Sequence, residues 1–225
     1  MLYLEHNIKK INSKPKTLLV EYAPRGQESK TKKIRTYFTD LIQGHTDIEY
    51  LDLATETPDL FDKDTLQAYC KRNYQHLILS ATESKLLEKI DQMRDQLLRN
   101  DILILSSPMY NFGYPAVVKA WIDSVMQKNF AYCLDQYGHV PKLGNLRVCI
   151  IYTAGIIYDQ INENESWNGL ISEGARLFEY MGAKVRVVHV EGLDMLPQDH
   201  IDLNFRDFAQ KKFNDIASSW YGVNL

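Results

Sequence analysis

A three-layer α/β fold, with helices on both faces of a five-stranded parallel sheet, is what this sequence predicts, and three observations carry the prediction. Short apolar runs alternate with segments of helical period, which is the signature of repeated βαβ units. Ile102-Leu103-Ile104-Leu105 and Arg147-Val148-Cys149-Ile150-Ile151-Tyr152 are almost wholly apolar, as strands covered on both faces must be. Asp47 to Leu53 and Val185 to Val190 carry Glu49, Arg186 and His189, so these two strands belong at the edges, where charge reaches water. With Thr17 to Tyr22 as the first strand, the placement gives a doubly wound sheet of order 2-1-3-4-5.

The helices follow from periodicity. Ile34, Tyr37, Phe38, Leu41 and Ile42 recur on one helical face, and Gly44 ends that helix. Leu86, Ile90, Met93 and Leu97 mark a second amphipathic helix ending at Asn100-Asp101. Val117, Ala120, Trp121, Ser124 and Val125 mark a third, with Pro115 near its first turn, where a fixed φ is tolerated. Leu170 to Met181 forms a fourth, and Ile201, Phe205, Phe208, Ile216 and Trp220 line a closing helix. Thr55 to Asp64 reads as surface loop and Phe130 to Gly144 as irregular, while Leu66 to Ser84 supports no assignment. Residues 17–225 are expected to form one domain behind an N-terminal extension, residues 1–16, whose alternating apolar and charged residues lack the continuous apolar run of a signal peptide.

Composition excludes several function classes. A net charge of −3, with the lysines and arginines scattered among acids, gives no field to attract nucleic acid. Cys70, Cys133 and Cys149 are sparse and odd in number, which fits reduced packing thiols in the cytoplasm better than disulfides. Six dispersed histidines show no metal-ligand spacing, so no metal is expected. No apolar stretch reaches the ~18 residues that a membrane helix needs.

In a doubly wound sheet a ligand binds beyond the carboxyl ends of the strands where their order reverses, here strands 1 and 3. Three loops meet that condition. Ala23 to Thr31 joins a strand to a helix start and offers free N–H groups, Ser29, Thr31 and Lys30, a set suited to a phosphate; equally, Ser29 can be a simple helix cap. Neither a Walker A pattern nor G-x-G-x-x-G is present. Ser106 to Pro115 holds three aromatics within five residues between two prolines, a stiff apolar wall for a planar heterocycle or, on the plainer reading, packing material. The third loop starts at Thr153. Asp52, Glu191 and Asp194 read as caps or solvated acids, and Cys149 with His189 reads as packing rather than a nucleophile pair.

Pro108-Met109-Tyr110-Asn111-Phe112, continued by Pro115 to Asp123, resembles the FMN-dependent NADH azoreductases, NAD(P)H:quinone reductases of flavodoxin-like fold. Ala23 to Thr31, Asp52-Leu53, Phe130-Ala131-Tyr132 and Glu191-Gly192 support the resemblance in family order from Thr17 onward. It implies that Ala23, Ser29, Lys30 and Thr31 hold an FMN phosphate. It implies further that Pro108, Met109, Tyr110, Asn111 and Phe112 contact the ribityl chain and ring, and that Thr153, Ala154 and Gly155 reach the pyrimidine edge. Ala23 stands where the family carries serine, and Ile156 where it carries a second glycine, which removes a hydroxyl and restricts backbone approach. Residues 157–169 diverge from the family as well.

The implied activity is two-electron, ping-pong transfer from NADH or NADPH through FMN to a quinone or azo compound, in a homodimer whose partner helps wall the flavin. Phe112, Tyr114, Phe130 and Tyr132 are expected to supply exposed aromatics for that contact. Two rival expectations are a flavodoxin-type electron carrier without nicotinamide chemistry and a flavin-free binding or regulatory module.

Overall fold

Apolar runs that cannot face water on either side demand two helical layers, and the chain supplies them. The computed structural model describes residues 14–157, 168–195 and 206–225. In chain order the elements are β1 (Lys16–Glu21), α1 (Lys30–Leu41), β2 (Asp47–Asp52), α2 (Lys63–Asn73), α3 (Ala81–Leu98), β3 (Ile102–Pro108), α4 (Ala116–Val125), β4 (Tyr132–Asp135), β5 (Gly138–Pro141), β6 (Arg147–Thr153), α5 (Asn168–Tyr180), β7 (Lys184–Val190) and α6 (Arg206–Tyr221). The main sheet is parallel, in the order β2-β1-β3-β6-β7. Its numbering departs from the expected 2-1-3-4-5 because β4 and β5 intervene in the chain. They form an antiparallel hairpin of their own inside the stretch expected to be irregular.

Alternation along β3 sorts the core. Ile102 and Ile104 face α1 and α6, packing with Ile34, Phe38, Phe213 and Ile216. Leu103 and Leu105 face α3, α4 and α5, packing with Met93, Trp121 and Phe178. All four are fully buried, and each such side chain contributes roughly 1.5–3 kcal/mol. The middle of the sheet is therefore closed to ligands.

Helix α2 lies in the stretch that periodicity left unassigned, and its docking explains why. It buries little beyond Thr65, Ala68, Tyr69 and Asn73, while Leu66 is exposed. Polar groups do the rest. Arg72 forks onto Asp91 of α3 at 2.5 and 2.9 Å, and Asn73 donates to the Lys128 carbonyl at 2.8 Å. The following helix, α3, begins at a capping box in which Ser80 and Glu83 exchange side-chain and backbone hydrogen bonds. Of the expected closing helix, Ile201 and Phe205 lie outside the described residues, as do residues 1–13 of the expected extension.

Edge strand β2 carries Glu49, whose carboxylate accepts hydrogen bonds from Arg99, from Gln96 Nε2 at 2.9 Å and from Asn100 Nδ2 at 3.1 Å. Chiefly through Arg99, these hold its pKa down at about 2, against 4.5 for an ordinary glutamate. The depressed value means stability that is complete above pH 4.5 and lost as pH falls toward 2. Glu49→Gln removes this dependence. Urea unfolding at pH 7 and pH 3 should show a larger acid loss in the parent protein than in the variant, and equal losses would refute the assignment.

Candidate functional site

The carboxyl ends of β1, β3 and β6, together with the segment after β7, surround a cleft of about 170 Å³. Its lining includes nine of the twelve expected site residues, namely Ser29, Lys30, Thr31, Pro108, Met109, Tyr110, Thr153, Ala154 and Gly155, joined by Pro24, Arg25, Leu193 and Asp194. Ala23, Asn111 and Phe112 stand outside that lining. The Ala23 carbonyl instead accepts from Gly26 N at 3.0 Å to start the turn before α1, while Asn111 and Phe112 form the tip of the loop after β3.

At the phosphate side, Ser29 is the N-cap of α1, its Oγ accepting from Lys32 N at 3.2 Å. The plain capping reading of Ser29 therefore holds, and the residue lines the cleft as well. Helix geometry leaves the first-turn amides of Lys30 and Thr31 without intrahelical acceptors. Thr31 Oγ1 pairs with Thr153 Oγ1 at 2.7 Å and ties the helix start to the end of β6. The Lys30 ammonium donates to the Leu193 carbonyl and to Asp194 Oδ1, the latter at 2.9 Å.

The loop after β3 is a two-residue hairpin turn. Tyr110 and Gly113 exchange both backbone hydrogen bonds at 2.9 Å, and Asn111 and Phe112 have φ of 48° and 64°. Positive φ at both central positions is the type I′ geometry, natural for asparagine and strained for phenylalanine. Two contacts hold the strain: Met109 N donates to the Thr153 carbonyl at 2.7 Å, and the Tyr152 hydroxyl donates to the Gly113 carbonyl at 2.8 Å.

The four aromatics expected to be exposed divide. Phe112 is 39% exposed at the turn. Tyr114 instead turns inward, 5.2 Å from the Tyr152 ring and against Gly174, where a Cβ would overlap it. Phe130 lies under the Arg94 guanidinium at 3.8 Å, and Tyr132 stacks on His139 at 5.3 Å; both are half-buried. Packing, not solvent, claims these three, because each ring finds a partner on a neighbouring element.

Among the acids, Asp52 caps a turn by accepting from Ala54 N at 2.9 Å, and Glu191 lies 3.4 Å from His189 Nδ1. Asp194 is neither a cap nor merely solvated, since it pairs with Lys30 at the cleft. Its position four residues past the last strand, at the carboxyl end of the sheet, was the available signal. Cys149 is fully buried, which pushes its thiol up to about 12. Register sets Cys149 opposite Arg186 and His189 opposite Tyr152, so no Cys–His pair forms. All three cysteines are free thiols. Among the described residues no cluster of three or more His, Cys, Asp or Glu could hold a metal ion, and no helix is long and apolar enough to cross a membrane.

Known proteins share this fold. Residues 15–211 match the family defined by the flavodoxin-like fold. The chain is 27% identical over 189 residues to an FMN-dependent NADH:quinone oxidoreductase of Azospirillum brasilense, covering 81% of this chain and 88% of that one. It is 32% identical over 162 residues to FMN-dependent NADH:quinone oxidoreductase 2 of Colwellia psychrerythraea, covering 68% and 73%. The chain belongs to the flavodoxin-like family of FMN-dependent NADH:quinone oxidoreductases.

The fold of this family member also matches, with a TM-score of 0.77 at 20% identity, the structure of an FMN-dependent NADH-azoreductase from Bacillus anthracis in complex with FMN, over 90% of this chain and 99% of that one. Ala23 is buried in the first turn, and Ile156 is 43% exposed just beyond Gly155. The strained turn gives a direct test. Phe112→Gly relieves a left-handed phenylalanine, a conformation costing on the order of 1–3 kcal/mol, at the expense of a half-exposed ring. Glycine's freer unfolded chain offsets about 0.4–1 kcal/mol of that relief, so urea unfolding should find the variant within about 1 kcal/mol of the parent. A loss above that size would mean that ring packing outweighs strain.

Proposed function

We propose that the chain binds FMN in this cleft and works as an NAD(P)H-dependent reductase of quinones or azo compounds. The observation that carries the reading is the locked Tyr110–Gly113 turn standing beside the N-terminus of α1 at the strand-order reversal. The donor set suits the cofactor. First-turn amides, the Ser29 hydroxyl and the Lys30 ammonium answer a phosphate dianion. Pro108, Met109 and Tyr110 offer an apolar wall to the ribityl chain and ring, with Asn111 and Phe112 at the turn tip. Thr153, Ala154 and Gly155 line the pyrimidine end, where the Ala154 amide is spent on the Val190 carbonyl and the Gly155 N–H is the group we assign to the ring edge, and Ala23 shapes the turn that presents α1.

Bound FMN supplies two-electron redox chemistry, linking oxidation of NADH or NADPH to reduction of the acceptor in ping-pong order. The chain's own task is to hold, orient and polarise. The backbone N–H of Gly155, preset by the β6 end, is the donor we assign to negative charge on the ring; Asn111 and Phe112 stand at the turn tip, off the cleft wall. No side chain is assigned as a proton donor. Residues 17–225 form the FMN-binding domain in this reading and 1–16 an extension; the match over residues 15–211 and the start of β1 at Lys16 begin within two residues of that boundary, on its N-terminal side. Free, dispersed thiols favour the cytoplasm.

The deciding experiment mixes FMN-loaded protein anaerobically with NADH and then with NADPH. Bleaching of the bound flavin band within the turnover time, reversed by a quinone, is expected. Flavin that stays oxidised with both nucleotides would leave an electron carrier, and failure to retain any flavin would leave a flavin-free module.

A homodimer completes the proposal. A cleft of about 170 Å³ is smaller than the roughly 300–1,000 Å³ of ordinary ligand pockets, so one chain by itself cradles rather than encloses a flavin. Tyr110 and Phe112, 45% and 39% exposed beside it, are the surface we assign to a second copy. Light scattering at micromolar concentration should give twice the 26.1 kDa chain mass, and a monomer mass would overturn the dimer.

A further inference from the structure

Asp194 stands out because it places a carboxylate where the reading above places a phosphate. Among the described residues it is the only acid lining the cleft. Its Oδ1 lies 2.9 Å from Lys30 Nζ, and its Oδ2 covers Gly155 so closely that a Cβ there would overlap it. The backbone fixes this placement: Asp194 N donates to the Gly155 carbonyl at 2.7 Å, and Leu193 N to the Ala154 carbonyl at 3.1 Å. The two partners differ in exposure, 15% for the lysine side chain and 67% for the aspartate. Lys30 is anchored a second time by the Leu193 carbonyl, whereas Asp194 can rotate into water at little cost, since exposed ion pairs contribute little.

We propose that Asp194 is an internal counter-anion of the phosphate subsite, one that occupies the Lys30 ammonium until a ligand phosphate displaces it, and that it thereby sets how tightly the phosphorylated flavin is held. The inference rests on the FMN reading of the cleft. Two anions cannot share one ammonium at contact distance without repelling each other, so a phosphate that docks on Lys30 turns the carboxylate away. A chain built this way discriminates weakly between FMN and riboflavin and holds FMN exchangeably. Riboflavin, which has no phosphate, is indifferent to Asp194.

The test titrates flavin-stripped, full-length protein with FMN and with riboflavin, following quenching of flavin fluorescence at low and high salt. Asp194→Asn keeps the shape and removes the charge. Its FMN Kd should fall about threefold to fivefold at low salt, the gain shrinking at high salt, while its riboflavin Kd stays within about twofold of the parent value. An FMN Kd that is unchanged or weakened, a gain insensitive to salt, or a riboflavin Kd that shifts equally would overturn the role of Asp194 and leave the FMN reading standing. If neither protein quenches either flavin, the FMN reading falls and this inference with it.

Discussion

Burial of β3 and β6 on both faces is the constraint from which the rest of this molecule follows. Side chains from Ile102 to Leu105 and from Val148 to Tyr152 are spent on the two helical layers, so no residue in the middle of the sheet can meet a ligand. Chemistry is pushed to the strand ends. There the order β2-β1-β3-β6-β7 sends the connections from β1 and β3 to opposite faces, which opens a cleft between them. The same burial stiffens the floor of that cleft, because Pro108 and Thr153 are still paired in the sheet when the chain leaves it.

Each wall of the cleft is then tied to that floor by a few polar contacts rather than by its own packing. Thr31 is joined to Thr153, Met109 to the Thr153 carbonyl, and Gly113 to the Tyr152 hydroxyl. Tyr152 and Thr153 thus organise both the helix start and the hairpin turn. At the last residue of β1, buried Glu21 accepts from Arg35 at 2.6 and 3.0 Å and from Tyr50 at 2.9 Å, which sets the tilt of α1 against the sheet. Partial desolvation and the neighbouring Glu21 carboxylate push the Tyr50 hydroxyl pKa up. A left-handed Phe112 survives because these anchors over-determine the loop around it.

Much of this was legible in the residues. Strands with continuous apolar runs, helices with a clear stripe and the odd aromatic loop all declare themselves through local chemistry, and the cleft gathers nine of the residues singled out. Helix α2 and the β4–β5 hairpin did not declare themselves. Their stability comes from Arg72, Asn73, Tyr69 and the Tyr132–His139–Tyr180 ring stack, contacts between residues far apart in the chain that leave no period to read. Tyr114 was misjudged for the same reason: its aromatic neighbour Tyr152 is 38 residues away, and only the fold brings them to 5.2 Å.

By itself, then, the sequence determined the layers, the edge strands and the loops at which a ligand can bind, since alternation, apolar runs and capping residues act over a few neighbouring positions. Tertiary structure alone decided which of those residues meet. It turned Ser29 into both cap and lining, drew Tyr114 inward, left Ala23, Asn111 and Phe112 off the cleft wall, and set Asp194 on Lys30 across 164 positions of chain. The physical reason is that pairing of charges and rings depends on distance in space, which sequence spacing encodes only within a single helix or strand.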